Sequence, residues 1–168
     1  MSSLNDGGFV VTWRDDNGSS HGGSGYDIRA QRFDVNSDPA GTEFLVNATQ
    51  VSGNQYDPAV IGLKEGGFVV TWRDDDGSSH DSGSNIDVWA RIFNTDGTEA
   101  VEEFRVNETQ ISSNQYEPAL ASLSNGNFIV TWRDSGGSSH DDGTGTGSSN
   151  DVWALSLIHI SEPTRPGI

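Results

Sequence analysis

The stretch GGFVVTWRDDDGSSH, residues 66–80, decides the fold because the chain writes it three times. It recurs as GGFVVTWRDDNGSSH at residues 7–21 and as GNFIVTWRDSGGSSH at residues 126–140. Phe9, Phe68 and Phe128 are 59 and 60 residues apart, and Trp13, Trp72 and Trp132 keep the same spacing. A period near 60 in a chain of 168 residues signals a repeat architecture. Within each copy Phe68, Val70 and Trp72 (or their equivalents) share one face of a strand, while Val69, Thr71 and Arg73 share the other. Both faces begin apolar, which predicts a strand covered on both sides.

Reading outward from residues 66–80 gives four short strands per unit. Pro58–Leu63 is an apolar run opened by proline, which suits a strand's first residue. The turn Lys64-Glu65-Gly66-Gly67 leads into the second strand, Phe68–Arg73, and residues 74–85 form a Gly/Ser/Asp loop. The third strand spans Asp87–Phe93. The Asp-Gly turn signal in residues 94–97 precedes a more one-sided fourth strand, Glu103–Asn107. No segment has a helical period. The expected fold is all-β, a β-propeller-like repeat of four-stranded antiparallel blades present as an incomplete arc; a linear stacked β-repeat or a β-sandwich is the alternative. The units are residues 1–50, a partial repeat with its first strand truncated, 51–110, a complete repeat, and 111–154, a partial repeat. Strand order predicts that the Asp-rich loops and the NQYDP and NQYEP segments (residues 54–58 and 114–118) share one rim, with the Gly-Gly and Asp-Gly turns on the opposite rim.

The formal net charge is -16, from 25 acidic and 9 basic residues. Such a charge repels the phosphates of nucleic acid and anionic membrane surfaces. It suits solubility, or cation binding where carboxylates converge. There is no cysteine, so disulfides and thiolate metal sites are excluded. No apolar run reaches the roughly 20 residues of a membrane-spanning helix, so no membrane insertion is expected.

The chemical candidates cluster in the loop after Trp-Arg. Asp15 and Asp16 in the first copy, Asp74, Asp75, Asp76 and Asp81 in the second, and Asp134, Asp141 and Asp142 in the third are hard oxygen ligands on Gly-rich backbone, the kind that Ca²⁺ selects. Their spacing is not the alternating D-x-D-x-D-G pattern, and Asp, Gly and Ser also populate ordinary solvated hairpin loops. His21, His80 and His140 are followed by the next strand's aspartate after 6, 7 and 11 residues, a variation that a surface loop tolerates better than a rigid site. Those histidines, one per unit, read as loop braces. Arg14, Arg73 and Arg133 are each expected to pair with a neighbouring carboxylate, for instance Asp27, Asp87 or Asp151. Trp13, Trp72 and Trp132 are expected in an inter-sheet core. Trp89 and Trp153 align with Arg29, so that position is expected to be partly exposed. Asn47-Ala48-Thr49 and Asn107-Glu108-Thr109 fit the N-glycosylation pattern, but their matching positions are explained by duplication. Every Asp and His of interest recurs per unit, whereas an enzyme needs one asymmetric constellation, so no enzymatic activity is expected and no catalytic residue is assigned.

The segments Gly7–Trp13, Gln31-Arg32-Phe33 and Glu43–Asn47 resemble a tandem repeat of large bacterial secreted and surface proteins, which often accompanies cadherin-like and RTX-type calcium-binding modules. The resemblance covers about residues 1–154. It implies an exported or cell-surface, non-enzymatic structural or adhesive module, stabilised by Ca²⁺, whose partners are neighbouring repeats and a surface glycan or protein. It transfers no calcium ligand, since the GGxGxDxUx nonapeptide is absent. A glycan-binding or glycan-active propeller is the alternative from another class. At the start, Met1 aligns with Val60 and Leu120, an internal strand position. At the other end, repeat identity stops after Ala154, and Leu155 to Arg165 resembles the in-frame translation of a sequencing-library adapter. Residues 155–168 are therefore expected to be a non-native tail.

Overall fold

The computed structural model describes residues 1–16, 25–49, 53–75, 86–108, 113–135 and 150–157. They form eleven strands in three antiparallel sheets, with no helix among the described residues. The first sheet is a meander of β1 (Ser2–Ser3), β2 (Phe9–Asp15), β3 (Asp27–Phe33) and β4 (Phe44–Leu45). The second contains β5 (Gln55–Gly62), β6 (Phe68–Asp74), β7 (Asp87–Phe93) and β8 (Glu99–Arg105) in the same order. In the third, β10 (Phe128–Asp134) lies between β9 (Gln115–Ser122) and β11 (Asp151–Leu157). Equivalent residues hold equivalent registers: Trp13 pairs with Arg29, Trp72 with Trp89, and Trp132 with Trp153.

The second sheet is buried on both faces. Toward the first sheet it turns Val60, Phe68, Val70, Trp72, Trp89 and Phe93, which pack with Leu4, Val10, Ile28, Ala30 and Val46. Toward the third it turns Leu63, Val69, Val88, Ala90, Ile92 and Val106, against Phe128, Val130 and Trp132. Val10, Ile28 and Ala30 of the first sheet are the repeat equivalents of Val69, Val88 and Ala90 in the second. Each sheet thus uses one face on its predecessor and the opposite face on its successor. The alternation in Phe68–Trp72, apolar on both sides, is the sequence expression of this double contact. Phe68 stacks on Phe93 at 4.9 Å between ring centroids, and Phe44 from the first sheet closes over that pair at 5.2 Å from Phe93.

Trp153 is half-buried, as expected of this position, but Trp89 is 7% exposed, so the expectation fails there. The Trp89 side chain shares the inter-sheet face with Trp72, and the first sheet covers both. Arg29 stands at the same position on the uncovered outer face of the first sheet, where charge is tolerated. Several strand limits also differ from the sequence reading, and β8 starts at Glu99 and not at Glu103. β5 starts at Gln55 and carries Pro58 within it, because the pairing with β6 shifts between Tyr56 and Ala59 and the bulge absorbs a residue without an N–H. β8 ends at Arg105, since beyond Val106 the Asn107 side chain replaces a backbone partner. β11 runs through Leu157, so Leu155, Ser156 and Leu157 occupy the positions of Arg91, Ile92 and Phe93.

The turns confirm the assignment of rims. Gly8 and Gly67 sit where an added Cβ would come within 2.2 Å of the carbonyl oxygens of Phe33 and Phe93, so the first turn of each unit lies against its third-strand end. In the turn after β7, the Thr98 hydroxyl and N–H both donate to Asp96 Oδ1, at 2.6 and 2.9 Å. These bonds, the hydroxyl foremost, hold the Asp96 carboxyl below its ordinary value, with a smaller contribution from the Arg32 charge.

Two predictions test this packing. Phe68→Ala should cost about 3–5 kcal/mol in urea denaturation, while Phe9→Ala, the same residue on the uncovered outer face, should cost less than half of that; equal costs would contradict the double-faced burial. In an NMR titration Asp96 should protonate below the ordinary carboxylate range, and Thr98→Val should move it upward. Because the folded value is depressed, its contribution to stability is complete above the unfolded pKa and is lost as pH falls through the folded one.

Candidate functional site

The acidic loops leave β2, β6 and β10 on the rim that also carries the inter-sheet linkers. Asp75 anchors this arrangement: its Oδ1 accepts from Asn54 N at 2.8 Å, and its own N–H donates to Asn54 O at 3.0 Å. Ser135 N donates to Asn114 O at 3.0 Å in the next unit. The Asp-rich loops and the NQYDP and NQYEP segments are therefore on one rim, as strand order requires.

Beneath the rim runs a buried polar chain. Asn47 Oδ1 accepts from Ile28 N at 2.7 Å, while its Nδ2 donates to Asp27 Oδ1 at 2.9 Å and to Gln55 Oε1 at 3.0 Å. Gln55 Nε2 then donates to Asp74 Oδ1 at 3.1 Å. Asp27 and Asn47 belong to the first unit, Gln55 and Asp74 to the second, so the chain crosses between sheets. The next unit repeats the start: Asn107 accepts from Val88 N at 2.9 Å and donates to Asp87 Oδ1 at 2.8 Å. Gln115 there donates to Ser113 O at 2.8 Å, and the Ser113 hydroxyl donates to Asp134. Asn47, Gln55, Asn107 and Gln115 are all at most 1% exposed. Buried polar groups at this depth need partners, and the chain supplies them to Asn47, Gln55 and Asn107. Both asparagines of the N-glycosylation pattern are thus internal hydrogen-bonding groups in the folded chain.

Above this chain lies a ladder of alternating arginine and tyrosine. The Arg14 guanidinium lies 4.4 Å from the Tyr26 ring centroid and 5.3 Å from Tyr56; Arg73 lies 4.7 Å from Tyr56 and 5.4 Å from Tyr116; Arg133 lies 4.8 Å from Tyr116. The ladder spans all three sheets: Tyr56 and Tyr116 stand between the arginines of successive units, and Tyr26 flanks Arg14 alone. Arg73 and Arg133 also pair with neighbouring carboxylates, as expected, but not with the example partners Asp87 and Asp151. Arg73 instead meets Asp57 at 3.5 Å and Arg133 meets Glu117 at 3.4 Å. Asp57 and Glu117 are the bulge residues of β5 and β9, at φ of 53° and 54°. Their left-handed backbone is unusual for residues other than glycine. Asp27 and Asp87 are taken by the asparagines.

Of the nine candidate aspartates, five fall within the described residues. Asp15 pairs with Arg29 Nε at 2.8 Å, Asp74 and Asp134 close the buried chain, Asp75 holds Asn54, and Asp16 is exposed. Asp76, Asp81, Asp141 and Asp142 lie outside the described residues, as do His21, His80 and His140. Among the described residues no three His, Asp or Glu side chains converge as a metal-binding group. Four of the five aspartates bind their own chain.

Sequence reading missed the ladder and the polar chain, although most of their residues recur in register. The signal was Gln-Tyr at residues 55–56 and 115–116, recurring in register with Trp-Arg-Asp. It also missed a clamp near the fourth strands. Glu103 accepts from Thr49 N and Oγ1 at 2.9 and 2.7 Å, and Arg91 Nη1 donates to Val46 O at 2.7 Å, tying the second unit to the end of the first. Comparison with protein-family models and with curated proteins gives no match.

Asn47→Ala strands Ile28 N, Asp27 and Gln55 at once, and should destabilise the protein by about 2–4 kcal/mol in chemical denaturation, against about 1 kcal/mol or less for Asp16→Ala on the exposed loop. Equal effects would remove the polar chain as an inter-sheet bond.

Proposed function

We propose that the chain is a non-enzymatic structural or adhesive repeat module of an exported bacterial protein, built on the plan of a β-propeller and present as an incomplete arc. The observation that carries this reading is the head-to-tail use of sheet faces. A heterologous interface of this kind propagates from unit to unit and closes into a ring when the rotation per unit permits. The first strand of each later sheet packs across its predecessor: β5 on β1, β2 and β3, and β9 on β5, β6 and β7. The distinctive polar groups support a structural role, since they recur once per sheet and bind one another. The resemblance to bacterial surface repeats adds the exported location and the neighbouring repeats as partners.

The glycan-binding alternative loses Trp89 as a surface aromatic, because the first sheet covers it, and keeps the half-buried Trp153 at the equivalent position. Ca²⁺ remains part of the reading through the loops at residues 76–85 and 136–149, and through the exposed Asp16.

A longer polypeptide carrying about four to eight units should scatter X-rays as a compact ring and should melt well above the present chain. An elongated particle whose length grows with unit number would establish the linear stack instead. Millimolar Ca²⁺ should raise the melting temperature of that polypeptide, with Mg²⁺ as control; no shift removes Ca²⁺ from the reading.

A further inference from the structure

The first turn of each unit has one backbone form and a different side chain at its corner. Leu4-Asn5-Asp6-Gly7, Leu63-Lys64-Glu65-Gly66 and Leu123-Ser124-Asn125-Gly126 are equivalent. In each, the glycine N–H donates to the leucine carbonyl, at 3.2, 3.1 and 3.1 Å. Each glycine also has a positive φ, of 87°, 106° and 90°, where a residue with a Cβ is strained. Glycine therefore follows the corner residue every time, and in the third unit this creates an Asn-Gly pair whose asparagine is exposed. Asn125 Oδ1 accepts from Asn127 N at 3.1 Å, as Asp6 Oδ1 accepts from Gly8 N at 3.0 Å. A side chain that reaches the amide two residues on passes over the amide between them, so Asn125 Cγ is held over Gly126 N. The Gly126 N–H points to Leu123 O, within its peptide plane, and does not stand between the nitrogen and Cγ. The turn also lies against the preceding unit. Lys64 Nζ donates to Ser124 O at 2.8 Å, and Glu65 Oε1 comes within 3.8 Å of where a Cβ on Gly126 would stand.

We propose that Asn125-Gly126 is a site of spontaneous covalent modification, deamidation and isomerisation through a cyclic imide, and that its isoaspartyl product loosens the Lys64 contact between the second and third units. Gly126 N gives its proton to hydroxide and forms a bond to Asn125 Cγ. The charge that develops on Oδ1 is met by the Asn127 N–H. The Cγ–Nδ2 bond then breaks, and the leaving nitrogen takes a proton from water, so ammonia departs and hydroxide is regenerated. Water opens the imide in one of two ways. Breaking the bond from Gly126 N to Cγ leaves aspartate. Breaking the bond to the original main-chain carbonyl leaves isoaspartate, whose main chain runs through Cγ and is one carbon longer. In sum, one water is consumed and one ammonia released. Aspartate fits the turn, because Asp6 holds this position in the first unit with the same bond to the amide two residues on. Isoaspartate does not. Its added carbon falls inside the loop closed by Gly126 N on Leu123 O and by Leu123 N on Asn127 O at 2.8 Å, and the Ser124 carbonyl that Lys64 holds belongs to that same turn. The site rests on the geometry of the turn and not on the proposed role of the module.

The test is residue-by-residue mass mapping of the full chain, kept folded at mildly alkaline pH for several weeks, beside a peptide of residues 119–131 under the same conditions. Asn125 is expected to convert in the folded chain at no less than about a tenth of the peptide's rate, giving both aspartyl and isoaspartyl forms. Asn47 and Asn107, which are buried and not followed by glycine, should stay intact. Conversion of Asn125 more than about tenfold slower in the folded chain than in the peptide overturns the site, because the turn then protects the amide. The isoaspartyl form, separated by chromatography, should melt below the unmodified chain, whereas Asn125→Asp should melt with it. The loss should shrink when both forms carry Lys64→Ala, since the contact is then already gone. An equal loss with and without Lys64, or no loss at all, overturns the effect on the contact between units.

Discussion

The rest of the structure depends on the burial of one sheet from both sides. A lone four-stranded sheet of this sequence would leave Phe68 and Trp72 in water on one face and Val69 and Val88 on the other. Neither face can be satisfied by folding the unit on itself, because the strands are too short and the turns too tight. The only cover of matching shape is the opposite face of a like unit. Since the two faces differ, aromatic on one side and β-branched or small on the other, the contact is directional, and every unit needs a predecessor and a successor. This is the quasi-one-dimensional energetics of repeat proteins, in which stability is shared between units and their interfaces.

Polar groups then set the alignment that apolar packing leaves loose. Hydrophobic contact between sheets is tolerant of sliding, whereas a buried amide with defined donors and acceptors is not. Asn47 and Gln55 lie on either side of the linker between the first and second sheets, and their side chains meet across it. The Arg–Tyr ladder repeats that function at the surface, each cation–π contact contributing on the order of 0.5–2 kcal/mol. The carboxylates of Asp57 and Glu117 reach the arginines from bulges, where the extra residue turns the side chain toward the rim.

These interactions also change the meaning of the acidic residues. The first aspartate of each loop, at positions 15, 74 and 134, belongs to the sheet and not to the loop: it ends the strand and accepts a hydrogen bond or an ion pair from the fold. The negative charge of the chain is therefore partly internal structure.

The sequence by itself determined the strands, their order and the two-faced burial, because period-two alternation and a 60-residue repeat are local patterns with one physical reading each. Phe68, Val70 and Trp72 could be assigned to one face from the pleat alone. The rims followed as well, since strand direction alternates in a meander. Only the tertiary structure decided which partner each polar side chain takes. Arg73 had several carboxylates within reach of its sequence neighbours, and the choice of Asp57 and of two tyrosine faces depends on a bulge and on the offset between sheets. Trp89 looked exposable because its equivalent is Arg29, yet whether that position is covered depends on which unit has a predecessor, a property of the stack and not of the segment. Hydrophobic periodicity is written in the chain; hydrogen-bond pairing depends on distances between segments that only the folded sheets bring together.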